Sequence, residues 1–196
     1  MKSAIDKKEF EKIHEEFVEK ENLRETLIKK SREIVNLSKQ IIYSLHREEY
    51  ANASKLVNDI KNKIKSIKNI AKKLPLDSSG SYKVAAQEYT EALCFYYLIK
   101  NNKIPSHKYL GIESEFYLLG LCDLVGELNR AAVNSVIKGK FERAGFYKQS
   151  VEELYGIFLK FDFRNSELRK KFDGMKYELK KLENLMLELK LRKHHG

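Results

Sequence analysis

Glu88 and Glu91 stand one helical turn apart in VAAQEYTEALCFYYLIK (84–100), a segment otherwise rich in Ala, Leu, Phe, Tyr, Ile and Val. A second pair, Asp123 and Glu127, occupies i and i+4 in YLLGLCDLVGELNRAAVNSV (117–136). A carboxylate on an apolar face is costly unless something pairs with it. Carboxylates brought close together raise one another's pKa unless a cation neutralises them. Oxygen ligands suit a hard cation, Mg²⁺ or Mn²⁺. Such an ion activates water and stabilises the charge that develops on a phosphate during hydrolysis. The spacing therefore predicts a metal-binding quartet, provided the two segments are helices packed side by side.

The same acids have plainer uses. Glu88 or Glu91 could form a buried ion pair with Arg130 or a lysine. Neither Glu-x-x-Glu nor Asp-x-x-x-Glu is specific by itself. A di-iron bundle requires Glu-x-x-His, and position 91 is Glu. Of His14, His46, His107, His194 and His195, none accompanies the acids at that spacing, and the pair at 194 and 195 reads as tail. Phosphate-loop, dinucleotide and nucleophile-elbow motifs are all missing.

The elements that must position the quartet read as helices. Two prolines and nine glycines in 196 residues leave long uninterrupted stretches, as in an all-α protein. Leu27, Ile34, Leu37, Ile41 and Leu45 form an apolar stripe, with Arg32, Asn36, Lys39, Tyr43 and Arg47 opposite. Further helices are expected over about 50–74, 82–101, 114–138 and 140–160, and from Ser166, as N-cap, to Leu191. Glu88 and Glu91 share a wheel face with Val84, Ala92, Phe95 and Ile99. Asp123 and Glu127 share theirs with Phe116, Leu119, Gly120, Arg130 and Asn134, and Gly120 and Gly126 permit close approach by a helix or a ligand. The expectation is a single all-α domain over 1–196, a bundle of about six to seven helices. Residues 1–23 read as an N-terminal helical extension and 192–196 as a flexible tail.

Charge narrows the partners. The net charge is +10, and residues 29–73 carry twelve Lys or Arg against four acids. That regional excess fits a polyanionic partner or a solvated lysine-rich surface. No stretch approaches the roughly 18 uncharged residues of a membrane span, and the N-terminus has no signal-peptide core. Cys94 and Cys122 lack metal-site spacing and read as reduced, buried residues of a cytoplasmic protein.

Four segments occur in an order that carries a resemblance: LIKKSREIVNLSKQIIYSLHR, QEYTEALCFYYLIK, YLLGLCDLVGELNRAAVNSV and SELRKKFDGMKYELKKLENLMLELKLR. Together, from about residue 24 to 192, they resemble the translin family of translin and translin-associated factor X. The first three look more like translin-associated factor X, the catalytic member of a Mg²⁺-dependent endoribonuclease. The fourth looks more like translin, the binding and scaffolding member. The family's catalytic acids fall in QEY-x-EA and DL-x-GEL segments, which here read QEYTEA and DLVGEL. The resemblance thus implies that Glu88, Glu91, Asp123 and Glu127 bind Mg²⁺ (or Mn²⁺) and cleave single-stranded or small structured RNA. Glu127 and Glu91 are equal candidates for the general base. Arg32, Lys39 and Arg130, with Arg47 and Tyr43, are expected to bind the RNA backbone. A solubilising face accounts for Arg32, Lys39 or Arg47 equally well; Arg130 fares better, one turn from Glu127 on the acidic stripe. The resemblance also implies a homo-oligomeric shell, an octamer, acting on RNA and on single-stranded DNA as a further ligand. The competing expectation is a non-catalytic RNA- or single-stranded-DNA-binding scaffold.

Overall fold

The computed structural model describes residues 5–75, 80–164 and 166–194. Among them are seven α-helices and no strand: α1 Lys7–His46, α2 Tyr50–Ala71, α3 Gly80–Asn101, α4 His107–Leu110, α5 Ser114–Ile137, α6 Phe141–Phe158 and α7 Glu167–His194. The boundaries fall within a few residues of those expected, and the short α4 lies inside the expected break after residue 101. The connection after Pro75 lies partly outside the described residues, as do His195 and Gly196. The α7 backbone runs through 192–194.

Helix ends follow local chemistry. Asp6 caps α1 by accepting from the Lys8 backbone N–H at 3.1 Å. Ser166 caps α7, its hydroxyl accepting from the Arg169 N–H at 3.3 Å. The α5–α6 turn passes through Gly139 at φ 71°, a conformation that costs glycine nothing. Glu48, in the α1–α2 turn, accepts from Lys138 and Lys140, each at 2.9 Å, and ties the two turns together.

The bundle is built around α3, which packs against α1, α2 and α5; α5 in turn meets α6 and α7. Leu27, Ile34, Ile41 and Leu45 of the α1 stripe are buried, while Arg32, Asn36, Lys39, Tyr43 and Arg47 are exposed. In α2, Val57, Ile60, Ile64 and Ile67 are buried among exposed or half-buried lysines. Because α3 has neighbours on three sides, the face carrying its acids is enclosed as well. Val84 departs from expectation: it is 50% exposed, because the first turns of α3 present that position to solvent rather than to a neighbour. Cys94 and Cys122 are buried and free. No helix among the described residues is long and apolar enough to cross a membrane.

Candidate functional site

The crossing of α3 and α5 sets the site. A Cβ at Gly120 would stand 2.6 Å from Thr90 Cβ and 2.7 Å from the Gln87 carbonyl oxygen, so only glycine allows this approach. Thr90 turns its hydroxyl inward to the Ala86 carbonyl at 2.8 Å and presents its Cβ side to Gly120. Asp123 and Glu127 follow Gly120 by one and two turns of α5, and Glu88 and Glu91 flank Thr90 on α3. The close crossing thus brings the four carboxylates into one electrostatic cluster.

Mutual repulsion identifies that cluster. Glu91 is only 9% exposed. Its carboxyl is pushed up to about 9, first by burial and then by Asp123, Glu88 and Glu127, with Lys171 opposing. Glu88 is raised too, chiefly by burial; Lys39 and Lys171 oppose the rise, and Asp123 and Glu127 add to it. Among the described residues, neither glutamate side chain has a hydrogen-bond or salt-bridge partner.

The two acids of α5 are held differently. Lys171 of α7 donates to both Asp123 oxygens, at 2.6 and 2.7 Å, and Gln87 Nε2 donates to Asp123 Oδ2. His46, the last residue of α1, meets Glu127 Oε2 through Nε2 at 2.5 Å. The His46 side chain is only 4% exposed and its ring packs 5.0 Å from that of Phe95. Arg130 Nη1 stands 3.9 Å from the same Glu127 oxygen. With these partners in place, no group of three His, Cys, Asp or Glu side chains among the described residues is gathered as a metal ion would gather them.

The expected cations divide. Lys39 acts on Glu88 and Arg130 on Glu127, so both border the acids. Arg47 and Tyr43 form a unit: Arg47 donates to the Tyr43 hydroxyl at 3.2 Å, its guanidinium lies 5.4 Å from that ring, and its Nε meets Glu49 at 2.6 Å. Arg32 is exposed two turns before Lys39 on α1.

Three site residues were not singled out from the sequence. Gln87 carried a faint signal as the first letter of QEYTEA. Lys171 is one lysine in a lysine-rich helix. His46 shares no helix with any of the acids, so a spacing rule within one helix cannot find it.

A model of the Translin family matches residues 22–193. An uncharacterized protein of Methanocaldococcus jannaschii is 33% identical across 89% of this chain and 82% of its own length. Translin of Gallus gallus is 38% identical over 81 residues, so the match spans 41% of this chain and only 35% of that protein. Translin-associated protein X of Mus musculus is 25% identical, covering 93% of this chain and 78% of its own. Among solved structures, apo-NeC3PO superposes with a TM-score of 0.86 at 34% identity, covering 91% of this chain and 95% of that one. AfC3PO in its complex with duplex RNA shares the fold, with a TM-score of 0.87 at 24% identity over 96% and 100% of the two chains.

Proposed function

Because the chain belongs to the translin family, we propose that it is a metal-dependent endoribonuclease that hydrolyses single-stranded or small structured RNA. The observation that carries this reading is Glu91: buried, without a hydrogen-bond partner among the described residues, and pushed up to about 9 beside three other carboxylates. A protein that only binds phosphate gains nothing from four acids placed next to Lys39 and Arg130.

The donor set fits a hard cation. Glu88, Glu91, Asp123 and Glu127 offer only oxygen, and their repulsion is what a divalent ion would relieve. Mg²⁺ or Mn²⁺ held there supplies a Lewis acid and lowers the pKa of a bound water. The chain's own groups do the rest. Lys39 and Arg130 hold the RNA backbone, with Arg47, Tyr43 and Arg32 extending the track along α1. Lys171 orients Asp123 by donating to both its oxygens. Of the two candidate bases, Glu127 has a partner that can pass a proton on, since His46 is hydrogen-bonded to it. In the net reaction water adds across one P–O bond, leaving a phosphate monoester on one fragment and a hydroxyl on the other.

Self-association belongs to the same reading. Phe10, Ile13 and Phe17 on α1, and Ile157 and Leu159 around the end of α6, are exposed apolar side chains suited to contact with further copies. We take the assembly to be a homo-octameric shell with the acids facing inward, working in the cytoplasm, where free cysteines stay reduced. AfC3PO is seen with duplex RNA, and this chain is expected to bind RNA, with single-stranded DNA as a second ligand. A non-catalytic RNA-binding scaffold is the alternative, favoured by one observation: Lys171 and Gln87 already occupy Asp123.

The test is cleavage of an end-labelled single-stranded RNA with Mg²⁺ or with EDTA, alongside Asp123→Asn. Cutting that requires both Mg²⁺ and Asp123 is expected. RNA bound but intact in every lane would leave the scaffold.

A further inference from the structure

A cavity of about 920 Å³ opens between the first turns of α2, the last turns of α3 and the α5–α6 turn. That volume suits a small organic ligand. Its wall combines the aromatic rings of Tyr50, Tyr96 and Tyr147 with the cations Lys100, Lys140 and Arg143. Lys140 pairs at 2.9 Å with Glu48, a carboxylate it shares with Lys138. The other two cations have only neutral partners among the described residues. Lys100 donates to the Tyr96 hydroxyl at 3.0 Å. Arg143 donates to the Tyr147 hydroxyl at 3.0 Å, Asn102 Oδ1 at 2.7 Å and the Ile99 carbonyl at 3.1 Å. Glu142, the other acid in the wall, has no ion pair with either of them among the described residues.

Such a wall selects its ligand. Tyr50, 49% exposed, offers a stacking face that accepts any base, while Tyr96 and Tyr147 are buried and carry Lys100 and Arg143 over their rings. Two cations without an acid partner favour a phosphate. The paired hydroxyls of Ser54 and Tyr96, 2.8 Å apart, add polar contacts for a ribose. One ligand class carries a flat base, a ribose and a phosphate: a nucleotide.

The cavity lies beside a cleft that reaches the partner of one acid. A narrower cleft of about 40 Å³ shares Leu45, Glu48, Tyr50 and Ser135 with it and adds His46 and Phe95. His46 is the group bonded to Glu127. Ser135 follows Glu127 by eight residues on α5, about 12 Å along the helix axis.

We propose that this cavity is a nucleotide subsite, holding the base and phosphate of a nucleotide that flanks the scissile bond. Its place on the strand rests on the ribonuclease reading, whereas its ligand class rests on the wall alone. The test is calorimetric titration of the full-length protein, in EDTA, with adenosine 5′-monophosphate, adenosine and inorganic phosphate. The monophosphate binds and the two fragments bind much more weakly, because base and phosphate are both read. Lys100→Gln and Arg143→Gln each weaken binding about tenfold, the scale of one charge-assisted hydrogen bond. Asp123→Asn binds like the parent protein. Arg143→Gln also strips bonds from the end of α3, so Lys100→Gln, on an exposed side chain, decides the matter. No binding of the monophosphate, undiminished binding by Lys100→Gln, or phosphate alone binding as tightly would overturn the proposal. In the cleavage assay Lys100→Gln raises KM with kcat unchanged, and the monophosphate competes with RNA. Saturating monophosphate that leaves cleavage unslowed removes the subsite from the strand. If no RNA is cut at all while the monophosphate binds and Lys100→Gln weakens it, the nuclease reading falls and the nucleotide site stands.

Discussion

Lys171 of α7 grips both oxygens of Asp123 on α5, at 2.6 and 2.7 Å, so an ammonium stands where a divalent cation would compete for the same carboxylate. Both side chains are partly exposed, at 27% and 28%. Their pairing adds little to stability. What it governs is access to Asp123.

Removing that competitor should favour the metal. Lys171→Gln is expected to bind Mn²⁺ about tenfold more tightly than the parent, the scale of one unit of charge interaction in a partly solvated site. Electron paramagnetic resonance titration of free Mn²⁺ reads this directly. Unchanged or weaker Mn²⁺ binding would mean that Lys171 does not compete for the ion.

Glu91 predicts how stability responds to pH. Its folded value, about 9, lies above the 4.5 of an ordinary glutamate. Between those values the folded chain holds a proton that the unfolded chain has lost, so the group's stabilising contribution is full below about 4.5 and is lost as pH rises towards 9. Without divalent ions, the melting temperature of the parent should therefore fall relative to Glu91→Gln as pH is raised from about 5 to 9. Adding Mg²⁺ should flatten that difference. Parallel melting curves for the two proteins across the window would show that Glu91 ionises freely.

The glycines of α5 separate packing from helix propensity. Gly120→Ala must push apart a Cβ contact of 2.6 Å and a backbone oxygen at 2.7 Å, and should cost about 1–3 kcal/mol in urea denaturation. Gly126 has nothing within 4 Å of an added Cβ, so Gly126→Ala should gain about 0.5–1 kcal/mol from propensity. Equal effects at the two positions would mean that α3 and α5 are not held at this crossing.

Backbone binding should appear as salt dependence. Lys39→Gln and Arg130→Gln each remove one proposed phosphate contact. Each should shallow the slope of log affinity against log salt for single-stranded RNA by about 0.7. The loss should be the same for any RNA sequence. Fluorescence anisotropy over a salt series measures it, and an unaltered slope would assign that residue to the solvated surface.

Much of the bundle was legible from periodicity, since a helix in water must bury one face and solvate the other. That rule placed Leu27, Ile34, Ile41 and Leu45 inside, with Arg32, Lys39 and Arg47 outside, and it marked Glu91 as an acid on a buried face. It misjudged Val84, because a wheel shows which residues share a face but not where along the helix a neighbour ends. Gly120 was noticed for its small size, yet whether a helix or a ligand would use the space was open until Thr90 was found against it.

Local spacing along the chain is enough to specify the helices, their buried faces and the four acids. Tertiary structure alone decided their partners. Lys171 meets Asp123 across 48 residues of sequence and His46 meets Glu127 across 81. Such pairings follow from how far one helix slides and turns against the next, which is fixed by contacts such as Gly120 on Thr90. Periodicity within one helix carries no record of that offset.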